Sequence, residues 1–182
     1  MMNRDKIAPI GVLTISDRVS RGEYEDRGGP ALQQWLQSRF QDPRRFELRS
    51  VPDELEPVTE NLQQMARICS LVVTTGGTGI GPRDITPEAM KEACHTFLPG
   101  FGEKMRASSW QKVPTAILSR ATAGLIDRCL VINLPGHPRA IGECMDAIWP
   151  AIPHAIEIIG GSLGETLDAA ADPHSSEDSN RR

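Results

Sequence analysis

Short apolar runs alternate along this chain with stretches of helical periodicity, and this alternation restricts the fold more than any other feature of the sequence. Four runs rich in β-branched and aliphatic residues predict buried or half-buried strands. They are Ile10–Ile15, Phe46–Val51, 70–75 and Cys129–Leu134. Helical spacing of apolar residues lies between them, which indicates crossover helices and a mostly parallel sheet. We therefore predict an α/β fold, a three-layer sandwich with helices on both faces of a mostly parallel sheet.

The length of 182 residues fits one domain, and residues 1–164 contain every periodic segment. After residue 138 the helical pattern is interrupted by Pro150 and Pro153, which predicts two helices with a break between them. The apolar surface of 149–159 fits either an interface between chains or the cover of the chain's own sheet. From 165 to 182 the sequence is polar and loses its apolar period, so we expect a disordered tail.

Composition and charge exclude several classes of protein. A net charge of −4 argues against a protein that coats nucleic acid or an acidic membrane surface. No apolar run reaches the ~18 residues of a membrane span, and the first residues lack the features of a signal peptide. The four cysteines have no C-x-x-C spacing, so we expect reduced, buried thiols rather than a zinc site, in a cytoplasmic protein.

The strongest functional signal is the segment 74–84, TTGGTGIGPRD, which joins a predicted strand to a predicted helix. In open α/β sheets ligands bind at this end of the strands. Glycines let backbone N–H groups approach an anion, and the following helix directs its positive end towards it. The spacing matches neither a Walker loop nor a dinucleotide fingerprint, since Pro82 follows Gly81. The segment therefore predicts a phosphate-binding loop of another kind.

Two aspartates follow predicted strands, and together they suggest a cation site. Asp84 stands beside the glycine loop, where a carboxylate repels a bound anion unless a metal ion bridges the two. Asp53 follows the strand Phe46–Val51, and parallel strands end on one side of a sheet, so both aspartates are expected there. Two carboxylates plus substrate phosphates are a usual way to hold Mg²⁺. Asp53 also fits the N-cap of the next helix, which leaves both interpretations open.

Five segments of the sequence resemble the molybdopterin adenylyltransferase family of molybdenum cofactor biosynthesis. They are SDRVSRGEYEDRGGPAL, TTGGTGIGPRDITPE, PGFGEKMR, VPTAILSRATAG and LPGHP, and the resemblance runs from about residue 8 to residue 160. It implies a Mg²⁺-dependent nucleotidyltransferase that moves AMP from ATP to molybdopterin and releases pyrophosphate. It also implies a homotrimer that hands its product to a separate molybdate insertion protein.

The resemblance also implies roles for individual residues. Asp53 and Asp84 match the family's two essential aspartates, which implies that they are catalytic and bind the metal. The segments that face nucleotide and pterin match Ser16, Asp17, Thr75, Gly76, Gly77, Thr78, Gly79, Ser119, Arg120, Pro135 and Gly136. His137 departs from the family, whose members more often carry Asn or Gln there.

Two other functions fit the same resemblance. One is molybdate insertion, whose proteins usually carry additional domains that 182 residues leave no room for. The other is a non-catalytic pterin-binding domain, and the presence of both Asp53 and Asp84 argues against it.

Overall fold

A six-stranded sheet forms the centre of the protein, and the computed structural model describes residues 7–167 around it. The strands are β1 (Ile10–Ile15), β2 (Phe46–Val51), β3 (Leu71–Thr75), β4 (Thr96–Phe97), β5 (Ala123–Ile126) and β6 (Cys129–Leu134). Their order across the sheet is β2-β1-β3-β6-β5-β4. The first four strands in this order are parallel, whereas β5 and β4 are antiparallel to their neighbours and form one edge.

Seven α-helices surround the sheet within the described residues. They are α1 (Asp17–Ser20), α2 (Gly28–Gln37), α3 (Leu55–Ala66), α4 (Thr86–Ala93), α5 (Pro99–Trp110), α6 (Pro138–Ile148) and α7 (Ile152–Ile158). The predicted break after α6 is confirmed, because a short 3₁₀ turn at Trp149–Ala151 separates it from α7. The second proline, Pro153, lies in the first turn of α7, where its missing N–H leaves no intrahelical hydrogen bond unmade.

Side chains of the central strands alternate between two separate cores. In β3, Val73 packs with Leu36 of α2 and Met145 of α6, in a cluster that also contains side chains of α5 and α7. Its neighbour Val72 points to the other face and packs with Leu62 of α3 and with side chains of α4. Helices therefore cover both faces of the sheet, and the predicted three-layer α/β sandwich is confirmed.

The predicted character of the cysteines agrees with the structure. All four cysteine thiols are free and buried in the two cores, and burial raises the pKa of the Cys69 and Cys94 thiols to about 11. Within residues 7–167, no helix has the length and the apolar composition needed to cross a membrane.

Both ends of the described chain lie next to the start of β2. The guanidinium of Arg45 donates to the carbonyl of Ile7 at 3.3 Å, and that of Arg44 donates to the carbonyl of Glu165 at 3.2 Å. These residues precede the first residue of β2, so the two chain ends meet at the amino ends of the parallel strands.

The predicted tail, residues 165–182, begins inside this contact. Thr166 is buried and forms a bridge with Phe40, and the amide of Leu167 donates to the carbonyl of Arg39 at 2.9 Å. Residues 165–167 thus pack on the domain that was predicted to end at residue 164. The rest of the predicted tail, 168–182, lies outside the described residues.

Truncation is expected to separate these two parts of the tail. A chain that ends at Leu167 should have the melting temperature of the full chain, because 168–182 lacks the apolar residues that would offset its ordering entropy. A chain that ends at Gly164 loses the Thr166 bridge and its hydrogen bonds, and should melt roughly 3–6 °C lower. Thermal unfolding of both chains measures this. A large loss of melting temperature in the chain that ends at Leu167 would show that 168–182 contributes to stability.

Candidate functional site

Four parallel strands end at the same level, and the loops that follow them form one edge of the sheet. Ile15 of β1 pairs with Val51 of β2, and Thr75 of β3 pairs with Leu134 of β6. β1 and β3 are in register with each other at the same end. This carboxyl edge is where the sequence predicts the ligand to bind.

Asp17 and Asp53 hold the ends of β1 and β2 together through reciprocal hydrogen bonds. The amide of Asp17 donates to Asp53 Oδ2 at 2.8 Å, and the amide of Asp53 donates to Asp17 Oδ1 at 3.1 Å. The N-cap of α3 is Glu54, and no side chain caps that helix. The N-cap interpretation of Asp53 is therefore wrong, and its carboxylate lies in the edge between two strand ends.

The glycine loop that follows β3 adopts a backbone conformation that favours glycine. Gly76 has φ of +106° and Gly77 has φ of +62°. The Thr86 hydroxyl donates to the carbonyl of Gly76 at 2.8 Å, so this side chain holds the loop instead of capping α4. A Cβ on Gly77 would lie 3.4 Å from Asp53 Oδ1, which places Asp53 beside the loop.

Asp84 folds back over the second half of the loop. Its Oδ2 accepts a hydrogen bond from the Gly81 amide at 2.8 Å, and a Cβ on Gly79 would lie only 2.7 Å from the same oxygen. The absence of side chains at these glycines thus makes room for the Asp84 carboxylate. The Gly81 amide is therefore already hydrogen-bonded to a carboxylate of the protein, that of Asp84.

Arg120 holds the glycine loop from the side of β5. Its amide donates to the carbonyl of Thr78 at 2.8 Å, and its Nε donates to the carbonyl of Gly79 at 2.7 Å. The remaining nitrogens donate to the carbonyl of Asp84 and to the carboxylate of Glu88. The structure therefore places Arg120 against the loop that the sequence assigns to phosphate, with its guanidinium directed at protein acceptors.

The other predicted site residues join the same edge. Thr75 Oγ1 donates to the carbonyl of Pro135 at 3.0 Å, and a Cβ on Gly136 would lie 3.3 Å from Gly76 Cα. Ser16 accepts a hydrogen bond from the Val19 amide and caps α1. The Ser119 carbonyl accepts from Arg106, next to Arg120. The structure thus brings Thr75 and Gly136 to the glycine loop, whereas Ser16 and Ser119 contact residues beside it.

The surroundings shift the pKa values of Asp17 and Asp53 in opposite directions. The Arg83 guanidinium, which hydrogen-bonds to Asp17, holds the pKa of the Asp17 carboxyl below its ordinary value. Burial raises the pKa of Asp53, an effect that the hydrogen bond from the Asp17 amide opposes and that the charges of Asp17 and Asp84 reinforce. A cation bound beside Asp53 would therefore favour its ionised form.

The donor set fits Mg²⁺. Asp53 and Asp84 each use Oδ2 to accept a backbone hydrogen bond, and no such bond is seen to their Oδ1 atoms among the described residues. Residues 7–167 contain no cluster of three or more metal-ligating side chains. A pair of carboxylates is nevertheless enough for Mg²⁺, which takes its remaining ligands from water and substrate phosphates.

Two residues of the edge were not predicted as site residues. Arg83 forms an ion pair with Asp17, and Thr86 fixes Gly76. A cation directly before a predicted metal ligand, in the tripeptide Pro82-Arg83-Asp84, is the signal that could have identified Arg83. No sequence signal distinguishes the role of Thr86 from an ordinary cap.

Asp53→Asn is expected to raise the melting temperature by a few degrees at neutral pH in a metal-free buffer. A carboxyl whose pKa is raised on folding costs free energy when it is ionised, and Asn removes the charge while its Oδ1 can still accept from Asp17. This cost is present above the raised pKa and disappears below the ordinary value of about 3.9. The gain should therefore vanish in acid. A lower melting temperature of the variant at neutral pH would contradict the raised pKa of Asp53.

Comparison with known proteins identifies the family of this chain. The family model described as a probable molybdopterin binding domain matches residues 11–154. The chain belongs to this molybdopterin-binding domain family. It is 50% identical over 155 residues to the molybdopterin adenylyltransferase of Helicobacter pylori strain J99, covering 84% of this chain and 88% of that protein.

Two further relatives show the range of the molybdopterin-binding domain family. The crystal structure of the molybdopterin biosynthesis enzyme MoaB from Thermus thermophilus superposes with a TM-score of 0.76 at 37% identity, covering 86% of this chain and 99% of that one. Gephyrin from Dictyostelium discoideum is 37% identical over 167 residues, which are 87% of this chain but 23% of gephyrin. The fold and most of the length are therefore shared with proteins of molybdopterin biosynthesis.

Proposed function

We propose that this protein is a molybdopterin adenylyltransferase, which transfers AMP from ATP to molybdopterin and releases pyrophosphate. The observation that carries the proposal is the placement of Asp53 and Asp84 on two sides of one glycine loop, at the carboxyl edge of the sheet. The family and the Helicobacter pylori relative support the identity of the substrates.

The site favours direct transfer between two bound phosphates. The hydroxyls of Thr75 and Thr86 donate to backbone carbonyls, and Ser16 caps α1, so these groups are engaged in holding the backbone. Nucleotidyl transfer needs positioning and charge neutralisation rather than a protein nucleophile. An oxygen of the terminal phosphate of molybdopterin forms the new bond to the α-phosphorus, and the bond to the bridging oxygen of pyrophosphate breaks.

We propose that Mg²⁺ binds between Asp53 and Asp84. When bound, such an ion supplies positive charge that offsets the charge of the triphosphate. Asp17 would keep Asp53 in place through their reciprocal hydrogen bonds, and Arg120 would keep the loop in place through the carbonyls of Gly79 and Asp84. Thr78 and the surrounding glycines would offer backbone groups to phosphate.

The test is pyrophosphate release from ATP with purified molybdopterin, in the presence of Mg²⁺ and after chelation. Release that requires both molybdopterin and Mg²⁺ is expected. Binding of molybdopterin without pyrophosphate release would instead indicate a non-catalytic pterin-binding domain. Consumption of adenylylated molybdopterin in the presence of molybdate would indicate the insertion activity.

The expected product would pass to a separate molybdate insertion protein, in the cytoplasm, where free thiols such as these four are usual.

We also propose that the protein is a homotrimer, as the sequence resemblance implies. Ile152 and Ile156 are buried in the core of their own chain, which favours the cover of the chain's own sheet for this part of the segment 149–159, although Ile158 is exposed. Large apolar side chains that are 45–63% exposed lie instead at and after the end of α5. They are Trp110, Val113, Ile117 and Leu118. A ring of three copies would cover this patch with a different surface of the next copy.

Light scattering is expected to give three times the mass of the 19.9 kDa chain. Ile117→Lys places a charge in the patch and should give the mass of one chain. Ile68→Lys is the matched control, because Ile68, between α3 and β3, is 48% exposed and lies outside both the patch and the segment 149–159. A single-chain mass of the unmodified protein would contradict oligomerisation, and a double mass would contradict the trimer.

A further inference from the structure

Arg83 and Asp17 form an ion pair although they belong to different loops of the carboxyl edge. It belongs to the loop between β3 and α4, whereas Asp17 follows β1. Its Nη2 donates to Asp17 Oδ2 at 2.5 Å, and its side chain is 58% exposed. The ion pair thus connects the two sides of the carboxyl edge at its solvent-facing surface.

Neither partner needs this ion pair to keep its position. Asp17 is fixed by its two backbone hydrogen bonds with Asp53. The loop that carries Arg83 is fixed by Arg120, by Thr86 and by the hydrogen bond from the Gly81 amide to Asp84. An exposed ion pair contributes little to stability, so the Arg83 guanidinium is free to exchange one anionic partner for another.

The proposed substrate requires a cation at this place. Asp17, Asp53 and Asp84 make the edge acidic, and the triphosphate of ATP is itself strongly anionic. The guanidinium of Arg120 already donates to loop carbonyls and to Glu88. Arg18 lies over the ring of Tyr24, 5.1 Å from its centroid. Among residues 7–167, Arg83 is the arginine that both pairs with Asp17 and belongs to the loop between β3 and α4.

We propose that Arg83 is a catalytic residue that leaves Asp17 and binds the β- and γ-phosphates of ATP. This inference rests on the adenylyl transfer proposed above. The planar guanidinium presents paired N–H donors that match phosphate oxygens. As the bond between the α-phosphorus and the bridging oxygen breaks, negative charge moves onto pyrophosphate, and a guanidinium bound there stabilises it.

Three variants and two ligands test this inference. Binding of α,β-methylene ATP and of AMP is measured by calorimetry in the presence of Mg²⁺. Arg83→Ala is expected to weaken the ATP analogue about 10- to 100-fold and to leave AMP unchanged, since AMP lacks the two outer phosphates. Arg83→Lys should recover part of the loss. Arg21→Ala is the matched control, because Arg21 contacts the same Asp17 carboxylate at 3.7 Å and is 59% exposed, and it should bind both ligands within about twofold of the unmodified protein.

The outcomes separate this inference from the proposed function. Equal loss of affinity for AMP and for the analogue would overturn it, because Arg83 would then act on the shape of the site. Unchanged binding of the analogue by Arg83→Ala, while the unmodified protein releases pyrophosphate, would overturn the role of Arg83 alone. An unmodified protein that binds neither ligand and releases no pyrophosphate would overturn both proposals.

Discussion

Asp84→Asn is expected to lower the rate of pyrophosphate release by about 100-fold or more, because one of the two carboxylates proposed to bind the metal loses its charge. The fold should remain intact. An Asn side chain can still accept the hydrogen bond from the Gly81 amide through Oδ1, so the turn that closes the loop is kept. Binding of molybdopterin should survive, since it does not depend on this metal. Steady-state release of pyrophosphate and the melting temperature together measure the effect.

Asp127→Asn is the matched control for this variant. Asp127 lies in the turn between β5 and β6, at the amino end of β6 and so at the opposite edge of the sheet. It has φ of +50°, a conformation that Asn tolerates well. The control should therefore keep both stability and activity. Pyrophosphate release by Asp84→Asn at the unmodified rate would remove Asp84 from the reaction.

Gly76→Ala is expected to lower the melting temperature by roughly 10 °C and to abolish turnover. A Cβ at this position would lie 2.2 Å from the carbonyl oxygen of Ile15, a contact that no rotamer change can relieve. The backbone cannot easily move away. The Gly76 amide donates to the carbonyl of Leu134 at 3.1 Å, and the Gly76 carbonyl accepts from Thr86. The variant would therefore displace the loop from the strand ends that position it.

Two further glycine variants separate the causes of this effect. Gly22→Ala keeps a positive φ of +71° but meets no atom within 4 Å, so it should cost only about 1 kcal/mol of unfolding free energy. Gly100→Ala, in the first turn of α5, also meets no atom within 4 Å and should be neutral or slightly stabilising. If Gly76→Ala lost no more stability than Gly22→Ala, the clash with Ile15 would not be the cause.

The parallel part of the sheet was predictable from sequence because each of its strands is long and bounded by polar or glycine-rich loops. β2 alternates in sequence and β6 is almost continuously apolar, and both begin and end as predicted. The antiparallel edge was not predicted. β4 has two residues and β5 is Ala-Gly-Leu-Ile, too short and too poor in β-branched residues to stand out. β5 depends on its hairpin with β6, and β4 depends on pairing with β5, which lies about 30 residues later in the chain, so neither strand stands out in its local sequence.

The site was predictable where a residue belongs to a loop that follows a parallel strand, and less so where the contact crosses between loops. Asp53 and Asp84 could be placed at one edge because strand ends in a parallel sheet converge. The reciprocal bonds of Asp17 with Asp53 depend on the register of β1 and β2, which sequence alone does not specify. Arg120 is far from the glycine loop in sequence, so its hydrogen bonds to Gly79 and Asp84 emerge only from the folded chain.

The first described residue, Ile7, and Glu165 near the end of the described chain contact Arg45 and Arg44, on the side of the sheet opposite the candidate site. A strand of six residues spans about 20 Å, so an attachment at Ile7 or after Leu167 is separated from the carboxyl edge by the full height of the sheet. Another protein could be fused at either end without blocking the entry of nucleotide, which suits a domain that also occurs as a minor part of the much longer gephyrin. An affinity tag or a fluorescent reporter at either end should likewise leave ligand binding unchanged.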